Sequence, residues 1–173
     1  CDIEALSNLS KSKGVQLAID NTFMSPYGQS PIRLGADIVM HSATKFIGGH
    51  SDLIAGVLIT DDPLIAEKLY FIQKSGGAVL SPFDSWMLLR STKTLALRFQ
   101  KHSDNAMTIA RNLQEFSKVK SVIYPGLPNH SQHYLATKQQ KNPLGEPIYG
   151  SMISFECKTL KVRDEFLNKT RLF

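Results

Sequence analysis

Three short apolar runs within the first sixty residues most constrain the fold: 15–19 (Val-Gln-Leu-Ala-Ile), 36–40 (Ala-Asp-Ile-Val-Met) and 54–60 (Ile-Ala-Gly-Val-Leu-Ile-Thr). Each is bounded by glycine, proline or polar turn residues and is too short for a buried helix, so each reads as a buried strand. Helical signals surround them. Residues 3–13 place Ile3, Leu6 and Leu9 on one helical face ahead of Gly14, a fitting stop. Asp62-Pro63 is an N-cap followed by proline at the first helical position, and that helix is expected to run to about Gln73 and stop at Gly76-Gly77. Short buried strands with helices argue a mostly parallel α/β sheet, in which ligands bind beyond the carboxyl ends of the strands.

Ser81-Pro82 repeats the helix-start signal, and no proline or glycine follows until Pro125. One helix of that length is out of scale for a globular domain, so a break is expected at Arg90-Ser91-Thr92. The second piece carries Leu95, Phe99, Ile109 and Leu113 on a helical period. Residues 119–124 read as a strand ending at Pro125-Gly126, and the stretch to Tyr149 reads as a long surface loop with one short helix. Residues 152–156 read as a strand and 160–168 as a helix. Trp86, Met87, Leu88 and Leu89 are consecutive apolar residues, as in a helix buried all round at a subunit contact.

Two of the strand ends carry chemistry. The first run ends on Asp20, and the second leads into His41-Ser42-Ala43-Thr44-Lys45. A lysine that attacks a carbonyl must be partly neutral near pH 7, which burial and neighbouring positive charge promote. Pyridoxal phosphate (PLP) uses such a lysine together with an acid on its pyridine nitrogen, and its phosphate needs donors such as the Ser42 and Thr44 hydroxyls. In an extended segment residues 42 and 44 would point one way and Lys45 the other. The same spacing equally describes a turn or helix cap with a solvated lysine and a turn acid, so spacing alone leaves both readings open.

Composition removes other classes. The chain has 173 residues, 42% of them hydrophobic, so it has enough apolar mass for a core. No apolar run approaches a membrane span. The net charge of +5 is scattered among acids, as in Glu67-Lys68 and Arg163-Asp164-Glu165, unlike a nucleic-acid stripe. Cys1 and Cys157 stand alone, so neither a disulfide framework nor a zinc site is expected, and a cytoplasmic, reducing setting is. His130 and His133 have metal-ligand spacing but no third ligand, so a solvated loop is expected there. His41, His50 and Asp52 crowd the lysine and are expected to hydrogen-bond behind a cofactor rather than bind metal.

Four motifs carry a resemblance: Asp20-Asn21-Thr22-Phe23-Met24-Ser25-Pro26-Tyr27, Gly35-Ala36-Asp37-Ile38-Val39, His41-Ser42-Ala43-Thr44-Lys45 and Gly49-His50-Ser51-Asp52. With Leu80-Ser81-Pro82-Phe83-Asp84, Lys93-Thr94-Leu95-Ala96-Leu97-Arg98, Tyr124-Pro125-Gly126-Leu127-Pro128, Met152-Ile153-Ser154-Phe155 and Thr170-Arg171-Leu172-Phe173, the chain resembles the Cys/Met-metabolism family of PLP enzymes from end to end. That family includes cystathionine γ-lyase, β-lyase and γ-synthase. The resemblance implies the PLP-transferase fold of type I, with the large cofactor domain over residues 1–92 and a connecting helix plus an incomplete small domain over 93–173. It implies Lys45 as the catalytic, Schiff-base lysine, Asp20 on the pyridine nitrogen, and Ser42 and Thr44 on the phosphate. It implies a carbon–sulfur lyase of trans-sulfuration with a small amino-acid substrate, and a homotetramer built from catalytic dimers, with no nucleic-acid or membrane partner. A lean to α,γ-elimination of cystathionine rests on residues 23–27 and 170–173.

The family is more than twice as long, and its phosphate glycine loop, ring-stacking tyrosine and substrate-carboxylate arginine have no match here. Together with the start at Cys1 and the end at Phe173, that leads us to expect a fragment. A non-catalytic piece used for subunit interaction is the reading from another class. Two departures stand out. Ser91 replaces a family glycine, which puts any left-handed backbone there in doubt, and residues 142–149 look like a surface insertion.

Overall fold

In the computed structural model the described residues are 1–172; the final residue of the Thr170–Arg171–Leu172–Phe173 likeness lies outside them. The first half opens with α1 (Ile3–Ser12), which is capped by Asp2 accepting from Ala5 N at 3.0 Å. Its buried residues are Ile3 and Ser7, while Leu6 and Leu9 are exposed, so the expected apolar face is only partly right. Ser7 takes over because its hydroxyl donates to Gly35 O at 2.8 Å, which ties the helix to the 3-10 turn Pro31–Leu34.

The strands β1 (Ala18–Asp20), β2 (Ile38–Ser42) and β3 (Gly56–Ile59) form a sheet in that order. β1 and β2 are parallel, and β3 runs antiparallel to β2. Strands 1 and 2 start later than their apolar runs. The cause is Asp37, whose carboxylate accepts from Leu17 N at 2.7 Å and so occupies the backbone before the ladder begins. A four-residue helix, α2 (Ser25–Gly28), sits inside the loop expected after Asp20.

Helix α3 (Pro63–Gly76) starts where its cap was expected, with Asp62 Oδ1 accepting from Leu64 N at 2.7 Å, and it ends on Gly77 at φ +70°. Helix α4 (Pro82–Thr92) starts after Ser81, whose hydroxyl accepts from Asp84 N at 3.0 Å. A break does follow, but not at the expected Arg90-Ser91-Thr92, which is the last turn of α4: Lys93 and Thr94 separate α4 from α5 (Leu95–Glu115). Ser91 is helical, so no left-handed backbone is needed where the family has glycine. Helix α4 has no buried residue within this chain. Trp86, Leu89 and Phe83 are exposed, so this chain by itself does not supply the burial expected for the helix.

The main core gathers Met24, Ala43, Ile47, Leu95, Phe99 and Ile148. Phe99 is fully buried, and Tyr27 and Phe46 meet it edge-on at 6.1 and 5.5 Å. Replacing Phe99 by alanine is expected to destabilise the fold by about 3–5 kcal/mol. This would appear in a urea titration as a lower midpoint at unchanged slope.

In the second half, β4 (Val119–Ile123) pairs antiparallel with β5 (Ser154–Cys157), and α6 (His133–Gln139) and α7 (Leu160–Lys169) complete the described elements. A second core joins Ala106, Ala110, Tyr124 and Leu127, with the Tyr124 hydroxyl donating to Gly150 O at 2.9 Å. The stretch from 125 to 149 lies, as expected, mostly at the surface around one short helix, but it is not detached from the core. Leu127, Ala136 and Ile148 are buried, and the carboxamide of Asn142 accepts from Leu144 N and Glu146 N at 3.0 Å each. Residues 143–147 are exposed, as the expected insertion would be. His133 is likewise not a solvated loop histidine: its Nδ1 lies 2.8 Å from Pro125 O and its ring stacks on Tyr149 at 5.5 Å. Among the described residues no helix is long and apolar enough to cross a membrane.

Candidate active site

Asp20 is the last residue of β1, and its register beside Met40 puts it on the same sheet face as Ser42. Its carboxylate accepts from Thr22 N at 3.0 Å. Hydrogen bonds from the Thr22 hydroxyl and then the Thr22 N–H hold this carboxyl below its ordinary value; slight burial opposes them and nearby His41 assists. Asp20 therefore remains an anion as the pH falls past the usual carboxylate value. Thr22 is itself buried, and its Oγ1 accepts from Ser42 N at 2.8 Å. One hydroxyl thus joins the acid's turn to the end of β2. The local sequence reading overlooked Thr22, although an acid followed two residues later by threonine is the signature of such a turn.

A buried amide network fixes the rest of this loop. Asn21 Nδ2 donates to Ser25 O at 3.1 Å and to Gln29 O at 2.9 Å, and Asn21 Oδ1 accepts from Gln29 Nε2 at 2.8 Å. Gln139 Nε2, from α6, donates to Gln29 Oε1 at 3.2 Å. Behind β2, His41 is buried and its Nδ1 has no partner among the described residues. Burial holds the imidazole below its ordinary value and the Asp20 charge opposes this, which favours a neutral ring behind the acid. His50 Nδ1 turns back to Gly48 O at 2.8 Å.

The segment after Ser42 is a turn rather than an extended continuation of β2. Lys45 N donates to Ser42 O at 3.1 Å, Gly48 N to Ala43 O at 2.7 Å and Gly49 N to Lys45 O at 2.7 Å. The expected alternation of residues 42, 44 and 45 therefore does not apply. Instead, buried Ala43 and Ile47 pin both ends of the turn into the main core, and Phe46 lies on Phe99 and on His102 at 5.9 Å. Lys45 between them is exposed, so this chain does not supply the expected burial. Its side chain faces a cavity of about 960 Å³ also lined by Phe23, Thr44, Asp52, His102 and Met152.

The four residues singled out from sequence thus fall in two neighbouring groups. Thr44 and Lys45 line the cavity, whereas Asp20 and Ser42 stand at adjacent strand ends linked through Thr22 and do not line it. Ser42 Oγ has no hydrogen-bond partner among the described residues. The Thr44 hydroxyl is occupied: it accepts from Ala55 N at 3.0 Å and donates to Ala55 O at 3.3 Å. Ala55 O also accepts from Thr44 N at 3.2 Å, so the hydroxyl proton can turn to another acceptor without orphaning that carbonyl.

The residues present fit PLP. An acid held ionised suits a protonated pyridine nitrogen, an unpartnered hydroxyl at a strand end suits a phosphate, and a lysine facing an open cavity suits an aldehyde.

Residues 1–173 match the family model described as Cys/Met metabolism PLP-dependent enzyme. The chain is 47% identical over 173 residues to a cystathionine gamma-lyase of Dictyostelium discoideum, covering 99% of this chain and 43% of that protein. It is 44% identical over 174 residues to a cystathionine beta-lyase of Coxiella burnetii, with the same coverage of 99% and 43%. Among solved structures, a cystathionine gamma synthase from Xanthomonas oryzae pv. oryzae matches with a TM-score of 0.93 at 36% identity, over 99% of this chain and 43% of that one. The chain therefore spans less than half the length of the curated relatives it matches.

Proposed function

Because the chain belongs to the Cys/Met-metabolism family of PLP-dependent enzymes and carries part of its type I α/β fold, we propose that the full-length protein is a carbon–sulfur lyase acting on cystathionine. The reaction is α,γ-elimination, in which cystathionine and one water give cysteine, 2-oxobutanoate and ammonia. The Asp20–Thr22–Ser42 linkage, which sets an ionised acid and a free hydroxyl beside the turn bearing Lys45, supports the PLP chemistry, and the likeness to a relative named cystathionine gamma-lyase supports the choice of reaction.

Bound there, PLP supplies an electron sink for negative charge developing at the substrate Cα. Asp20 holds the proton on the pyridine nitrogen. The Ser42 hydroxyl, and that of Thr44 once turned from Ala55 O, donate to the phosphate. Lys45 would hold the cofactor through its amine, and the same amine, when free, would take the Cα proton and return protons to the carbons beyond. The assembly we propose is a cytoplasmic homotetramer.

Relatives named γ-lyase match at 47% and 44% identity and relatives named β-lyase at 44% and 45%, so the product decides between them. With cystathionine as substrate, a coupled assay of the full-length protein is expected to give 2-oxobutanoate and cysteine in equal amounts. Pyruvate with homocysteine and ammonia would instead assign the β-lyase reaction, and net formation of cystathionine from cysteine and an O-activated homoserine, with release of the activating acid, would assign the synthase.

A further inference from the structure

Arg98 on α5 has no acidic partner among the described residues; its guanidinium is spent on carbonyls. Nη1 donates to Phe46 O at 2.7 Å and Nη2 to Ile47 O at 3.2 Å, and these are the two residues directly after Lys45. Nη2 also donates to Ser91 O at 3.0 Å, at the end of α4, and Nε donates to Thr94 Oγ1 at 3.0 Å. One planar cation therefore joins the α4–α5 junction to the lysine turn. Gly49 completes the arrangement. A Cβ there would lie 2.1 Å from Arg98 Nη1 and 2.6 Å from Cζ, at a backbone φ of +78°. The glycine leaves the space that the guanidinium fills.

We propose that Arg98 is a positioning residue for Lys45: it fixes the turn 43–49 by its fork on the Phe46 and Ile47 carbonyls, with Gly49 as the required complement. The proposal rests on the reading of Lys45 as the cofactor lysine. A lysine at position 98 cannot hold two carbonyls in the fork geometry, so Arg98→Lys restores little. The burial that disfavours the charged guanidinium is offset by these bonds, and Arg98→Met removes them along with the charge.

The test uses the full-length protein and two readouts. Hydrogen exchange at the Gly48 and Gly49 amides, which bond to Ala43 O and Lys45 O, is expected to quicken by about tenfold or more in Arg98→Met and Arg98→Lys, while exchange in the middle of α5 is unchanged. The dissociation constant for added PLP is expected to rise by about tenfold or more in both. A merely structural capping role for Arg98 would loosen α5 as well. The Gly49→Ala variant gives a third arm. If the alanine harms binding by displacing the guanidinium, then Arg98→Met in the Gly49→Ala background adds less than its separate cost. Unchanged exchange at Gly48 and Gly49, or full additivity of the two substitutions, would overturn the proposal. If the unsubstituted protein fails to bind PLP, the functional reading falls, and the exchange data still decide whether Arg98 holds the turn. Should Arg98→Met not fold, Arg98→Lys and Gly49→Ala carry the decision.

Discussion

Replacing Lys45 by alanine is expected to leave a folded protein that no longer holds PLP covalently and turns over at least ~10³-fold more slowly. The stability side of this expectation is firm because the turn is held by backbone bonds and by its neighbours. Ala43 and Ile47 are buried, whereas the Lys45 side chain is exposed and has no hydrogen bond or ion pair among the described residues. Surface truncations of that kind change stability by about 0.5 kcal/mol or less. The measurement is the visible absorption of the PLP-loaded protein, followed by hydride reduction and mass analysis of the peptide containing residue 45. A visible band unchanged from the parent, or a reduced adduct on another lysine, would sink the assignment.

Asp20→Asn is expected to weaken PLP binding by about tenfold or more and to cut turnover by about two orders of magnitude, because an amide cannot hold the positive pyridinium proton as an anion does. The substitution is nearly isosteric and keeps an oxygen for the Thr22 N–H. It also has a pH signature whose sign follows from the depressed carboxyl. A group with a lowered folded value contributes stability above its unfolded value and loses it as the pH falls through the folded value. Urea titrations of the parent below the ordinary carboxylate range should therefore show an acid loss that Asp20→Asn partly removes. Asp20 is exposed, so solvent screening keeps this difference to a few tenths of a kcal/mol. An identical acid limb in both proteins would count against the Thr22 bonds as the cause.

Local chemistry made part of this molecule readable in advance. The Asp62-Pro63 and Ser81-Pro82 starts are caps whose partners lie within three residues, and both helices begin there. That a break divides residues 82–115 was readable from length, but its place at Lys93 and Thr94, just past the expected Arg90-Ser91-Thr92, was not. Features set by distant partners were not readable. The strand starts depend on Asp37 meeting Leu17, and the burial of α1 depends on Ser7 reaching Gly35. The turn at Lys45 depends on Arg98, more than fifty positions downstream. In the site, motif order found Asp20, Ser42, Thr44 and Lys45 together, but periodicity could not show that Thr44 would spend its hydroxyl on Ala55 or that Thr22 would join the two strand ends. The exposed apolar face of α4 has a similar origin: Trp86 and Leu89 have the composition of a covered surface, and composition does not say which partner covers it.

Ile148 shares a core with Met24, Ala43 and Ile47, and Gln139 completes the amide chain that starts at Asn21. This imposes an order on biosynthesis. When residue 45 leaves the ribosome, the side chains that will close its turn from behind are about a hundred codons away, a wait on the order of ten seconds at ordinary translation speed. During that interval the acid and the lysine are present in an unfinished pocket flanked by uncovered apolar surface, which is the kind of nascent segment a chaperone shields. The turn that carries Lys45 is accordingly completed late, by the arrival of residues 139–150.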